Sequence, residues 1–234
     1  MANNTAGVFH VMKGEHLDSA ITYLNEAIRI AKVLKRPEDE AASLYNLSYV
    51  YLTLNLYDKA LKINIDLLKI REKKGDAHGV INSNNAIGIV LVKMHRYNEG
   101  LVYAEKALKL SLDNNFENST MSSYINLGAA YLGLKKNDLA EDCFIKARNI
   151  AIKTRDMVSY SNALTNLGTV YMEKGELTKA KATFRELMAT GILDQQDLYT
   201  NNILYYNFGE IYFKEKIPTV RYSTTTRRCL FLCL

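Results

Sequence analysis

Tyr124-Ile125-Asn126-Leu127-Gly128-Ala129-Ala130-Tyr131 is the stretch on which the fold turns. Its middle recurs as Asn46-Leu47-Ser48, Ala86-Ile87-Gly88, Asn166-Leu167-Gly168 and Asn207-Phe208-Gly209. The last members stand at 48, 88, 128, 168 and 209, in steps of 40, 40, 40 and 41 residues. A fixed interval of this size marks a repeat solenoid, in which each unit buries its apolar face only against its neighbours. Stacked repeats build extended concave surfaces that hold other molecules and rarely build catalytic pockets.

Other columns keep the same register. Ala20, Ala60, Gly100, Ala140 and Ala180 form one, and Tyr51, Leu91, Tyr131, Tyr171 and Tyr212 another. Ala27, Leu67, Ala107, Ala147 and Leu187 form a third. Small residues let two helix backbones approach, and large ones fill the space between them. Gly88, Gly128, Gly168 and Gly209 fall inside a helical pattern, where Gly is disfavoured by roughly 1 kcal/mol relative to Ala. Accepting that cost in most repeats points to a close helix crossing at this row.

Turn signals fall twice per period. Within repeats they are Lys13-Gly14, Asn55, His95, Lys136-Asn137 and Gly175; between repeats they are Arg36-Pro37, Gly75-Asp76, Asn114-Asn115, Arg155-Asp156 and Gly191. Pro37 followed by Glu38, Asp39 and Glu40 is a strong helix start, because Pro suits the first turn and acids suit the positive helix end. The spacing predicts helices over about 2–13, 16–35, 37–54, 56–73, 76–94, 96–113, 117–134, 136–154, 156–173, 176–190 and 196–214. Consecutive helices are expected to pair antiparallel through short turns.

The pattern resembles the tetratricopeptide repeat (TPR), best in Tyr124, Leu127-Gly128, Tyr131, Ala140, Phe144 and Ala147, and again in Leu164, Leu167-Gly168, Tyr171, Ala180 and Phe184. Two departures count: that family's usual period is about 34 residues, and the Pro that often ends its second helix is absent here. The longer period is similar to the long-helix subclass of kinesin light chains, bacterial Rap-type regulators and bacterial sensor segments. The resemblance implies an all-α, right-handed superhelical solenoid of antiparallel helix pairs. Residues 1–214 would hold about five repeats, near 1–36, 37–75, 76–115, 116–155 and 156–194, and an extra helix in 195–214. The first repeat is degraded, with Gly7-Val8 in place of Leu-Gly and Val11 in place of Tyr, as terminal repeats often are. Residues 215–234 carry Pro218 and Arg221 where the period asks for helix and a small residue, and read as an irregular or disordered basic and apolar tail.

Composition narrows the function classes. The 234 residues are 48% hydrophobic and 24% charged, an ordinary globular balance, and only two prolines interrupt the chain. The net charge of +5 misleads: from Lys214 onward Lys214, Lys216, Arg221, Arg227 and Arg228 face Glu215 alone, leaving the remainder at +1. The repeat body therefore has no strong pull on phosphates, and nucleic-acid binding is not expected. Cys143, Cys229 and Cys233 make no disulfide framework and suit a reducing compartment. No basic-then-apolar leader opens the sequence, and no apolar run approaches the ~20 residues of a membrane helix. The expectation is a cytoplasmic protein that needs no cofactor and no metal.

On a helical wheel the Leu, Gly and Tyr columns, with the large residue four before Gly, share one side of each first helix. The Asn column points away from it, as Asn46, Asn126, Asn166 and Asn207, with Ala86 as a gap. Asn82 and Asn162 lie in the row six before Gly, and Tyr49 and Thr169 directly after it. Asn is a poor mid-helix residue, so a row of them suggests a use. An amide donates and accepts, and can pair with any peptide unit. In long-helix TPR proteins the Asn before Leu-Gly commonly contacts bound peptide, which the resemblance carries to Asn46, Asn126, Asn166 and Asn207. The plainer reading, that these amides bridge neighbouring helices or face water, fits the row equally well.

Lys93 and Lys214 against Glu173 and Glu210 make groove charge sparse and mixed, so capture of a peptide's C-terminal carboxylate by a basic cluster is not expected. Enzyme signals are weak. His10, His16, His78 and His95 stand near helix ends, Cys229 and Cys233 lack partner ligands, and there is no Gly-rich phosphate loop and no Gly-x-Ser-x-Gly. The reading is a non-catalytic module that binds a protein or peptide. The alternative is the sensory segment of a larger bacterial signalling protein, with a histidine kinase, transcription regulator or diguanylate cyclase output lying elsewhere.

Overall fold

The computed structural model describes residues 17–190 and, further on, 206, 207, 209–211 and 213. Among the described residues 17–190 there are nine helices in order: α1 (Leu17–Val33), α2 (Pro37–Thr53), α3 (Tyr57–Lys74), α4 (Ala77–Lys93), α5 (Tyr97–Asp113), α6 (Glu117–Gly133), α7 (Asn137–Thr154), α8 (Met157–Glu173) and α9 (Leu177–Ala189). No strand occurs among the described residues. The helices expected between 16 and 190 all form, each end within about two residues of expectation. Where residues 206–213 are described they are helical, as expected for 196–214. The expected helix 2–13, the rest of 196–214, the degraded signature at Gly7, Val8 and Val11, and the tail 215–234 lie outside the described residues.

The turns explain the constancy of the period. Lys35, Asn55, Gly75, His95, Asn115, Lys135, Arg155 and Gly175 all take positive φ, between 52° and 76°. They stand 20 residues apart, so each repeat is two equal halves. At each, the left-handed residue's N–H and the next N–H turn back onto the helix just ended. After α1, Lys35 N donates to Lys32 O at 3.1 Å and Arg36 N to Ala31 O at 2.8 Å, and the same pair of bonds closes every later turn through Glu176. This double closure satisfies carbonyls that a helix end leaves open. On the starting side, Pro37 opens α2 with Glu38, Asp39 and Glu40 in its first turn. Asp76 caps α4 by accepting from Gly79 N at 2.8 Å, and Asp156 caps α8 by accepting from Ser159 N at 3.0 Å.

The chain divides into two compact units, Met1–Asn126 and Leu127–Leu234. In the first, Ala20, Leu24, Ile28, Leu47 and Val50 form one core cluster and Leu68, Val80, Ile87 and Leu91 another. In the second, Leu164, Ala180, Phe184, Leu187 and Ile211 cluster, with Tyr160 and Tyr171 packed against them. Ala60, Ala140 and Ala180 are fully buried. At Gly88, Gly128 and Gly168 the Gly row is closely packed, in different ways. Gly88 faces backbone, its pro-Cβ direction 3.5 Å from Gly100 O and 3.7 Å from Ala104 N. At Gly128 and Gly168 the neighbour is an aromatic ring: a Cβ would stand 2.6 Å from Phe144 Cε1 and 2.3 Å from Phe184 Cε1.

Candidate functional site

Each first helix of a repeat (α2, α4, α6, α8) turns its Leu-Gly side into the core. The rows six before, one after and five after the Gly position are the open ones. Ala42, Ser122, Asn162, Tyr49, Thr53, Lys93 and Glu173 are exposed there, and Asn82, Ile89, Ala129, Thr169 and Glu210 are half-buried. The Asn row lies deeper than the wheel implied. Asn46 and Asn166 are half-buried, while Asn126 and Asn207 are buried at 6% and 8% exposure. The wheel treats a helix as packed on one side, whereas a helix between two neighbours is walled on its flanks as well.

Asn126 makes the consequence concrete within the first unit. Its Nδ2 donates to Asn85 O at 3.2 Å and to Asn85 Oδ1 at 3.1 Å, tying α6 to α4. Ser123 Oγ donates to the same Asn85 Oδ1 at 3.0 Å. Asn85 sits one residue ahead of the Ala86 gap, so a search confined to the column missed it. In the second unit Asn166 behaves differently: its Nδ2 donates to Asn162 O of its own helix at 2.8 Å, and Thr169 Oγ1 likewise to Thr165 O at 3.0 Å. Those side chains bridge no other element through these bonds. In the first unit Asn82 Nδ2 lies 3.2 Å from His78 Nδ1, and the His78 ring meets Phe116 edge-on at 5.4 Å.

Arg71 is a second residue that the sequence did not single out. It leaves α3 near its C-terminus and reaches between α2 and α4. Nη1 donates to Gly79 O at 3.1 Å and to Ser83 Oγ at 2.8 Å, and the guanidinium carbon stands 5.9 Å from the centre of the Tyr45 ring. Burial pushes its pKa below the usual arginine value, against the opposing pull of Asp76, Tyr45 and Glu38.

Elsewhere the charged groups are spent on one another at the surface. Lys174 contacts Asp138 at 2.8 Å, Glu141 at 2.7 Å and Glu176 at 3.4 Å, and these hydrogen bonds hold its pKa above the usual lysine value. Glu173, one of the few groove charges, is paired with Lys135 at 2.9 Å. Cys143 is buried, and that burial pushes its thiol up to about 11. Among the described residues no group of three or more His, Cys, Asp or Glu could hold a metal ion, and no helix is long and apolar enough to cross a membrane.

Tetratricopeptide repeat family models match residues 41–74, 79–153 and 119–190. The chain belongs to the tetratricopeptide repeat family, a fold that serves in general as a scaffold for protein interaction. The Tonsoku-like protein of Drosophila melanogaster is 23% identical over 205 residues, which cover 77% of this chain and 14% of that protein. A Rap protein complexed with competence and sporulation factor superposes with a TM-score of 0.73 at 16% identity, covering 89% of this chain and 56% of that one. The TPR sensor-bearing signal transduction ATPase with numerous domains from Pyrococcus horikoshii gives 0.69 at 20% identity, covering 92% of this chain and 33% of that one. The two superpositions establish the fold and, at these identities, nothing finer. This chain spans about 14% of the fly protein and about a third of the archaeal one.

Proposed function

We propose that this chain is a non-catalytic interaction module that holds a peptide or protein segment along the first helices of its repeats, on the concave face such repeats form. The observation carrying the proposal is the set of amide, hydroxyl and phenol side chains left accessible on those helices: Asn46 and Tyr49 on α2, Asn82 on α4, and Asn162, Asn166 and Thr169 on α8. Amides pair with peptide groups whatever the partner's sequence, and tyrosine adds apolar area with little entropy lost. Asn126 and Asn207 belong to the same row as its deeper members. The three cysteines, with Cys143 buried, accord with a reducing cytoplasmic setting.

Random-peptide array screening followed by fluorescence anisotropy on a selected peptide tests this reading. Asn162→Ala with Asn166→Ala should weaken binding about tenfold while melting stays unchanged, since each neutral hydrogen bond contributes roughly 0.5–1.5 kcal/mol. Asn126→Ala should instead lower the melting temperature, because its amide ties α6 to α4. An array without binders, or unchanged affinity in a folded Asn162→Ala/Asn166→Ala protein, overturns the reading.

A second reading is favoured by the lengths covered. The relatives named are longer chains, and the archaeal one carries its TPR segment as a sensor. On that reading this chain is the sensory segment of a larger signalling protein. Reading the coding DNA beyond residue 234 decides it: an output domain in frame supports the reading, and a stop with no such domain nearby sinks it.

A further inference from the structure

Arg71 occupies a position that the fold reserves for small residues. Its 40-residue column is Ala31, Arg71, Ser111 and Ala151, and the other three members are at most 4% exposed. The opposite position is empty: a Cβ on Gly79 would stand 2.0 Å from Oδ2 of the capping Asp76 and 2.6 Å from Arg71 Cδ. Arg71 departs from its column, and Gly79 leaves room for it and for the Asp76 cap beside it.

That cation makes no direct salt bridge among the described residues, and the carboxylates of Asp76 and Glu38 act on it only from a longer distance. Its described partners are a carbonyl, a hydroxyl and the face of Tyr45, all neutral, and Arg71 makes no ion pair with a carboxylate among the described residues. Nη1 carries both hydrogen bonds, which leaves the Nη2 and Nε edge of the fork free. No carboxylate is bonded to this half-buried guanidinium, and its planar fork fits one through two parallel bonds. The site borders the open face: Tyr45 is 43% exposed, Tyr49 one turn along the same side of α2 is 55% exposed, and Ser83 adjoins Asn82 on α4.

We propose that Arg71, with Tyr45 against its face and Ser83 and Gly79 fixing its orientation, is an anchoring subsite for the side-chain carboxylate of an Asp or Glu in the bound partner. The proposal rests on the peptide-binding reading and gives it a specificity: an acidic residue set beside a segment held by Asn46, Tyr49 and Asn82. It differs from a terminal-carboxylate clamp, since one arginine from a second helix does the work.

Two measurements test it. In the first, a peptide array is probed with the wild-type chain, Arg71→Ala and Arg71→Lys. Arg71→Ala should fold, because Ala fills the same column at Ala31 and Ala151. Wild type should enrich Asp or Glu at one fixed position, Arg71→Ala should lose that enrichment with about a tenfold weaker affinity for acidic binders, and Arg71→Lys should recover only part of it. In the second, the Arg71 Nε–Hε NMR signal is followed during titration with N-acetyl-glutamate amide, N-acetyl-glutamine amide and inorganic phosphate. The glutamate compound alone should move it saturably. Binders without acidic preference, an acidic preference that survives Arg71→Ala, or equal response to glutamine or phosphate overturns the subsite and leaves peptide binding standing. If the array yields no binder, the peptide reading fails, and the NMR titration alone then decides the subsite.

Discussion

Adding one methyl group to the Gly row should have opposite effects in neighbouring repeats. At Gly88 a new Cβ would meet Gly100 O at 3.5 Å, Ala104 N at 3.7 Å and Ala104 Cβ at 3.8 Å, all ordinary contacts. Nothing opposes the helix-propensity gain of Gly→Ala, so Gly88→Ala should stabilise the chain by up to about 1 kcal/mol. At Gly128 the same methyl would lie 2.6 Å from Phe144 Cε1, 2.7 Å from Cζ and 2.9 Å from Cδ1. The ring must retreat by most of an ångström, yet Phe144 is fully buried and cannot swing out to solvent without unpacking. Overpacking of this kind costs typically 1–3 kcal/mol, which outweighs the propensity gain and leaves a net loss of about 0–2 kcal/mol. Phe144→Leu would remove the ring, so Gly128→Ala should be better tolerated in that background. Urea unfolding of the three single variants and the double variant, followed by circular dichroism, measures the signs and the coupling. Gly128→Ala more stable than Gly88→Ala, or no coupling between residues 128 and 144, would refute the assignment of the row to a ring-filled notch.

Two further perturbations test the local physics. Arg155 holds φ 58° and its side chain makes none of the described hydrogen bonds or ion pairs, so Arg155→Gly should relieve left-handed strain and raise stability by roughly 0.5–1 kcal/mol, while Gly175→Ala should lower it by about 1 kcal/mol; thermal melts read both. Cys143, with its thiol pushed from 9.0 to about 11, should resist iodoacetamide at pH 8 in the native chain and react after unfolding, as peptide-resolved mass spectrometry would record. Because the unfolded thiol ionises first, the stability that this group contributes is intact below pH 9 and declines as pH rises towards 11; Cys143→Ala should flatten that part of the profile, and an unchanged profile would show that the thiol is not desolvated.

The fold was legible because its main determinants are local and repeated. Small residues at fixed spacing, a turn signal every half period and Pro37 with its trailing acids each act within one helix or one turn, and a 40-residue register multiplies weak signals into a strong one. The site was legible only in outline. Column reasoning found Asn126 and Asn166 as equivalents, yet one spans α4 and α6 and the other bonds within α8. What separates them is the neighbour: Asn85 supplies an acceptor outside the column, and no period marks it. Arg71 escaped for the opposite reason. It breaks its column, and a search for recurring residues passes over the one that does not recur.

Buried polar atoms without a partner occur in both units, but the columns that pack at the Gly row depart from their pattern in the first, and that placement carries its own argument. The column facing the Gly row is Asn64, Ala104, Phe144 and Phe184, and the large-residue column four before Gly is Leu44, Asn84, Tyr124 and Leu164. The second unit fills the first of these columns with rings. The first unit places Asn64 in that column and Asn84 in the other, 1% and 0% exposed. Asn64 Nδ2 donates to Ser48 Oγ at 2.6 Å and Asn84 Nδ2 to Val80 O at 2.8 Å, but both side-chain carbonyl oxygens, and Nδ2 of Asn85, lack a partner. Each such group costs roughly 1–3 kcal/mol if water does not reach it, where an apolar residue would cost nothing. A repeat protein could adopt the aromatic solution in every unit. This one departs from it between residues 64 and 85, in the helices that also house Arg71, to which no carboxylate is directly bonded. Local rules broken together, next to exposed Tyr45 and Tyr49, are the pattern expected where stability is given up for binding. The first unit is therefore where the search for a partner should start.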